Sequence, residues 1–310
     1  MNIVRVFSPA TVANVGCGFD TMGFAFRGMG DIIEMYYNDT NDINYIYEGN
    51  INLPRNPEKN LMTIALRAIM DASGGRKGVT VRLLQKISPG SGIGSSAASA
   101  CSAVYAYNLL ANLGYSDEEL IPFALEGEAM ASGAHHADNV APAMLGGIVL
   151  VRENQPLDLI KIKPAMKLFC TIVHPNIEVK TKDSRAVLKP EIPISTAVNQ
   201  WANLGAFVAA LYTGDTALLG RALQDKVAEP YRKQFIPGYD ILKNAILEAG
   251  AIGTNISGSG PSIFALAETQ EIADKIATTM KSHFEKLNIQ SNTYASELCL
   301  EGTRAINKNQ

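Results

Sequence analysis

The sequence is short of charge, cysteine and tryptophan, and it has no long apolar run. Only 18% of its 310 residues are charged, against roughly 25% in ordinary soluble domains. The net charge is −3. Without a basic excess, a broad nucleic-acid groove is disfavoured, because such grooves draw on clustered Lys and Arg. The four cysteines, Cys17, Cys101, Cys170 and Cys299, contain no C-x-x-C pair. Their spacing fits neither a zinc site nor a dense disulfide framework, so reduced thiols in the cytoplasm are expected. No apolar stretch approaches the roughly 20 residues of a membrane helix. The N-terminus lacks the basic and apolar regions of a signal peptide. A cytoplasmic protein with no nucleic-acid or membrane partner is the expectation.

What the chain does have is apolar content, at 47%, enough to exclude disorder as the main state. At roughly 150 residues per domain, about two domains are expected. Runs rich in β-branched and aromatic residues predict strands at 2–8, 31–37, 43–48 and 78–86. Helical periodicity covers 57–72. A helix runs from the mid-90s to about Asn112, and Ser116 with Glu119 reads as the capping box of the next, which runs toward Gly133. A strand is expected at 146–151. The proline-bearing stretch 152–165 reads as a domain boundary, dividing the chain into 1–155 and 156–310. Beyond it, strands are expected at 167–173, 252–257, 262–267 and 291–298. Helices are expected at 196–213, 215–227, 237–249 and 269–287. Strands and helices mixed in both halves predict an α+β or α/β protein.

The densest local feature is Pro89, Gly90, Ser91, Gly92, Ile93, Gly94, Ser95, Ser96, Ala97, Ala98 and Ser99. It follows a strand and opens a helix. Glycines admit positive φ and close backbone approach. A helix start offers free N–H groups and a positive dipole end. Together these suit a phosphate, and the alternative is a tight strand–helix turn with no ligand. Two better-known loops fail here. No lysine follows Gly94, as a Walker A loop requires, and Ser95 replaces the last glycine of a dinucleotide fingerprint. A second glycine loop, SGSGPS at 257–262, reads as a hairpin turn or as part of a shared anion site. A third glycine-rich segment, SPATVANVGCGFDTMG at 8–23, contains Asn14 and Asp20.

In that order and spacing the three segments resemble the three motifs of the GHMP small-molecule kinase superfamily. Within it, PATVANVGCGFDTMG, SGAHHADNVAPAMLGG (132–147) and DKVAEPYRKQFIPGY (225–239) are similar to homoserine kinases. The resemblance implies a two-domain α+β fold. Its N-terminal domain would be like domain 2 of ribosomal protein S5, with a left-handed β-α-β unit. Its C-terminal domain would be ferredoxin-like, with the active site between the two. It implies phosphoryl transfer from ATP to the hydroxyl of L-homoserine in threonine biosynthesis, and a homodimer.

It also implies roles for residues. The glycine loop would hold the ATP phosphates, with Asn60 near the adenine. Ser96 and Glu128 would hold Mg²⁺. Arg185 and Arg232 would take the substrate carboxylate, in keeping with the bidentate geometry of a guanidinium. Asp20 would take its ammonium. Asn14, His136 and Gly258 would line the same site, and Asn139 would hold the reacting hydroxyl. Two adjacent histidines on a helix cannot share one face, and the resemblance selects His136 over His135. Asp138 stands as a possible base beside Asn139. The competing readings are another GHMP kinase, a non-catalytic nucleotide sensor of the same fold, and, more distantly, a dehydrogenase.

Overall fold

Two sheets organise the chain. The computed structural model describes residues 2–49, 53, 56–75, 77–132 and 135–307. Among them, the first sheet has seven strands and the second has four. The first half opens with β1 (Val4–Ala13) and β2 (Met22–Tyr37), a long antiparallel pair. Next come β3 (Ile43–Tyr47), α1 (Leu61–Ser73) and β4 (Val79–Gln85). β3 and β4 pair in parallel, so this is a β-α-β unit. Then follow α2 (Ser95–Ala111), α3 (Asp117–Ser132) and α4 (Ala137–Leu145), and the hairpin β5 (Ile148–Asn154) with β6 (Leu157–Ile162). The four helices share a core with Ile33, Met35, Val81 and Leu83 of the sheet.

The sequence of α2 explains its place. Ala97, Ala98, Ala100, Ala103 and Ala106 are all fully buried, because a helix enclosed on every side is small and apolar all round. The helix after it starts at the expected capping box. The Ser116 N–H donates to Glu119 Oε2 at 2.8 Å, and the Glu119 N–H donates to Ser116 Oγ at 3.3 Å. Gly133, toward which this helix was expected to run, lies outside the described residues.

The second half comprises β7 (Phe169–Pro175), α5 (Thr181–Ala186), α6 (Ile194–Thr213), α7 (Thr216–Ala222), α8 (Glu229–Arg232) and α9 (Tyr239–Glu248). It continues with β8 (Gly253–Ile256), β9 (Ile263–Ala267), α10 (Gln270–Lys286), β10 (Ser291–Glu297) and β11 (Arg304–Ala305). The antiparallel order β10-β7-β9-β8 is the ferredoxin-like arrangement. A core shared by both halves joins them, with Phe24 of β2 meeting Phe264 of β9 edge-on at 5.7 Å.

The structure departs from the sequence reading at several points. The expected division at 155/156 falls in the turn of the β5–β6 hairpin. By pairing, the first sheet extends to Ile162, and β11 returns to it beside β1. A turn proline resembles a linker in composition, and only strand register tells them apart. The helix expected over 215–227 stops at Ala222, because Asp225 takes the backbone N–H groups of Val227, Ala228 and Glu229 and starts a new turn. The histidine pair is not on a helix. His136 is the extended residue that precedes α4, with φ −94° and ψ 116°.

Candidate active site

The three glycine-rich segments meet at one cavity of about 290 Å³ between the two halves. Gly90, Gly92 and Gly94 all have positive φ. Two of them are also required by contact. A Cβ on Gly92 would lie 2.5 Å from the carbonyl oxygen of Gly260, and one on Gly94 would lie 1.9 Å from Thr11 Oγ1. Gly94 precedes α2 without a side-chain cap, so the first N–H groups of a 17-residue helix stay open toward the cavity. Pro89, Gly90, Ser91, Gly92, Gly94, Ser95, Ser96 and Ser99 line it. Ile93, Ala97 and Ala98 do not; their side chains pack into the cores. The hydroxyl of Ser91 is buried without a hydrogen-bond partner.

The second glycine loop is the β8–β9 turn and braces the first. Ser257 Oγ donates to the Gly92 carbonyl at 2.7 Å, and Ser262 Oγ donates to the Ser91 carbonyl at 2.6 Å. The Gly258 carbonyl accepts from Asn14 Nδ2 at 3.0 Å and from Arg232 at 2.8 Å. Asn14 Oδ1 accepts the Asp20 N–H at 3.0 Å. Asn14 therefore ties the 14–20 turn to the opposite half of the molecule.

Charge of both signs converges beside this loop. Arg185 on α5 pairs with Asp20 through both terminal nitrogens and reaches His136 Nε2 at 2.9 Å. Burial holds the His136 imidazole below its ordinary pKa. Arg232 on α8 is buried, lies over the Phe19 ring and donates to the carbonyls of Ser184 and Gly258. Burial lowers its pKa from the ordinary guanidinium value, and the proximity of Arg185 acts in the same direction. His135 is turned the other way and sits 3.4 Å from Glu126 in an exposed pair.

Ser96 hydrogen-bonds Glu128, a buried carboxyl that burial pushes up to about 7. Asp138 is also buried and pushed up to about 7, first by burial and then by the charges of Asp20 and Glu128. Asn139 lines the cavity, and its Oδ1 accepts from Thr11 at 2.6 Å. Among the described residues no group of three or more His, Cys, Asp or Glu could hold a metal. Mg²⁺ needs fewer protein ligands, since it keeps waters and takes phosphate oxygens. A hydroxyl beside a buried carboxyl that burial pushes up to about 7 fits it. At the other end Asn60 is buried, caps α1 and donates to the Tyr47 hydroxyl at 3.1 Å.

Two residues that line the cavity, Lys86 and Thr181, and one packed behind its lining, Thr11, escape the sequence reading. Lys86 is buried against Asp31 at 3.1 Å and donates to the carbonyl and hydroxyl oxygens of Ser95. Lys86, just past the end of β4, thus sets an ammonium against the start of α2, where it is already paired with Asp31. Its position just before the loop was the available signal. Thr181, four residues before Arg185, also lines the cavity. Thr11 was hidden inside a motif in which only Asn14 and Asp20 stood out.

The fold and this loop together define a small-molecule kinase of the GHMP class. The family description "GHMP kinases N terminal domain" matches residues 60–147, and "GHMP kinases C terminal" matches 207–286. A homoserine kinase of Chloroherpeton thalassium is 42% identical over 319 residues, covering 99% of this chain and 100% of the relative. The crystal structure of homoserine kinase from Cytophaga hutchinsonii superposes with a TM-score of 0.94 at 46% identity, covering 99% of this chain and 98% of that one. A mevalonate kinase of L. major in complex with R-mevalonate shares the fold, at TM-score 0.73 and 17% identity, over 94% and 95% of the two chains. The chain belongs to the homoserine kinase family.

Proposed function

We propose that the chain transfers the γ-phosphoryl group of ATP to the side-chain hydroxyl of L-homoserine, giving ADP and O-phospho-L-homoserine on the way to threonine. The observation that carries this reading is the convergence of Asp20, Arg185 and Arg232 on the cavity that the glycine loop closes. A zwitterion with a hydroxyl at its far end uses both signs of charge. A sugar or a neutral alcohol has no use for two arginines.

In this reading the carboxylate of homoserine is taken by Arg185 and Arg232, and its ammonium by Asp20. His136 Nε2 and Asn14 keep Arg185 and Asp20 in place. The open N–H groups at the start of α2, with Lys86 beneath them, offset the phosphate charge. Ser96 and Glu128 are the residues that would hold Mg²⁺, which would supply positive charge against the ATP phosphates. Asn139 holds the hydroxyl. The hydroxyl oxygen bonds to the γ-phosphorus as the bond to the β-phosphate oxygen breaks, and the hydroxyl proton leaves late, to an oxygen of the transferred phosphoryl group and then to water. Such a transfer is loose and needs little early deprotonation, so positioning carries much of the rate. A second reading makes Asp138 the proton acceptor. It is favoured by a buried carboxyl near 7 next to Asn139.

We further place the protein in the cytoplasm as a homodimer. Four buried free cysteines suit a reducing compartment. No described helix is long and apolar enough to cross a membrane. The 20-residue α6 carries no charge, and Ile194, Val198, Trp201 and Tyr212 stand exposed along it. Among them Gly205 faces open space. Such a face suits a second copy of the same helix.

The test is ADP release with Mg·ATP and a panel of L-homoserine, D-homoserine, L-serine, mevalonate, galactose and shikimate. Turnover confined to L-homoserine is expected. Turnover on another alcohol instead would overturn the substrate assignment. ATP binding with no turnover would favour a sensor.

A further inference from the structure

Thr11 is fully buried on β1, and its hydroxyl donates to Asn139 Oδ1 at 2.6 Å across 128 positions of chain. Its backbone N–H donates to the Ile93 carbonyl at 3.1 Å, inside the glycine loop. Gly94 leaves room for this junction, since a Cβ there would lie 1.9 Å from Thr11 Oγ1 and 3.1 Å from Asn139 Oδ1. A carboxamide has one acceptor end and one donor end. With Oδ1 held by Thr11, the end that Asn139 can offer the cavity is Nδ2.

We infer that Thr11 is a positioning residue. It fixes the Asn139 amide so that Nδ2 donates to the oxygen of the reacting hydroxyl, and it ties that orientation to the loop that holds the phosphates. The inference rests on the role given to Asn139 above. A flipped amide would offer Oδ1 instead, engage the hydroxyl proton and swing the oxygen off the line to phosphorus. The β-branched side chain suits the task, because Thr has few χ1 choices once its methyl is packed.

The test is a cycle of T11V, N139A and T11V/N139A, with T11S as the conservative rescue, all in the full chain. Thr11→Val removes the hydroxyl and keeps the shape. It is expected to lower kcat by about 10- to 100-fold, the range for small misplacement of a reacting group. KM for ATP and the thermal midpoint should stay close to wild type. Thr11→Ser should recover most of the loss, and in the Asn139→Ala background Thr11→Val should add little further. If Asn139→Ala cripples kcat while Thr11→Val does not, this inference fails and the role of Asn139 stands. If Thr11→Val costs as much with Asn139 absent as with it present, Thr11 acts by another route and the inference also fails. If Asn139→Ala leaves kcat intact, the role of Asn139 falls and this inference falls with it.

Discussion

Arg185 grips Asp20 with both terminal nitrogens, at 3.0 and 2.9 Å, across 165 positions of chain. The two groups assigned to opposite ends of a zwitterion neutralise each other when the cavity holds none. A substrate with only one of the two charges would leave a partner stranded in a half-buried site, which is unfavourable.

Arg185→Met and Asp20→Asn should therefore each raise KM for L-homoserine. A hydrogen bond to a charged group is worth about 1.5–3 kcal/mol, or roughly 10- to 150-fold. KM for ATP should move little. The pair retains 35% and 26% side-chain exposure, so solvent screens it in part and the loss of one partner should lower the thermal midpoint only modestly. An unchanged homoserine KM in both variants would remove the pair from substrate binding.

Asn139 and Asp138 are adjacent, and their substitutions should separate positioning from proton transfer. Asn139→Leu is expected to cut kcat far more than it weakens ATP binding. Asp138→Asn should keep most of kcat and leave the acid limb of the pH profile in place. Single-turnover kinetics would check this. Collapse of Asp138→Asn with Asn139→Leu largely intact would make Asp138 the base.

The carboxyls of Glu128 and Asp138, both pushed up to about 7 chiefly by burial, have effects of opposite sign on stability and on activity. A carboxyl whose pKa is raised in the fold keeps its proton more tightly folded than unfolded. Its stabilising contribution is complete below about pH 4 and is lost as pH rises through about 7. The thermal midpoint of the ligand-free protein should fall over that window, and Asp138→Asn should flatten the fall. Activity runs the other way. The proposed role of Glu128 in holding Mg²⁺ needs its ionised form, so turnover should fall on the acid side. Raising Mg²⁺ should move that acid limb to lower pH, because the cation competes with the proton. An acid limb indifferent to Mg²⁺ would take Glu128 out of the metal role.

The uncharged face of α6 makes a separate prediction. Trp201→Glu and Val198→Lys would place charge in the helix-against-helix seam of the proposed dimer. Analytical ultracentrifugation is expected to show a dimer for the wild type and a monomer for the double variant. A wild-type monomer at high concentration would remove the dimer.

Features set within a few residues are legible in the sequence alone. The glycine loop sits at a strand end and a helix start, Ser116 caps α3, and β8 and β9 form the hairpin around 257–262. Arg185 and Arg232 illustrate the limit. Both were singled out by resemblance, yet the short helices that carry them, α5 and α8, were not anticipated. A helix of 6 or 4 residues has too few turns to show a period. Strand β6 was missed because its pairing with β5 is a matter of register.

The sequence by itself determined the local elements, the glycine loop and the apolar and small-residue patterns that let the cores form. These depend on backbone chemistry and periodicity over short spans. Tertiary structure alone decided that Lys86 lies beneath the loop, that Asp20 meets Arg185, and that Thr11 holds Asn139. Each of these joins residues brought together by the packing of strands and helices, and no local preference in the chain encodes which distant partner a buried polar group will find.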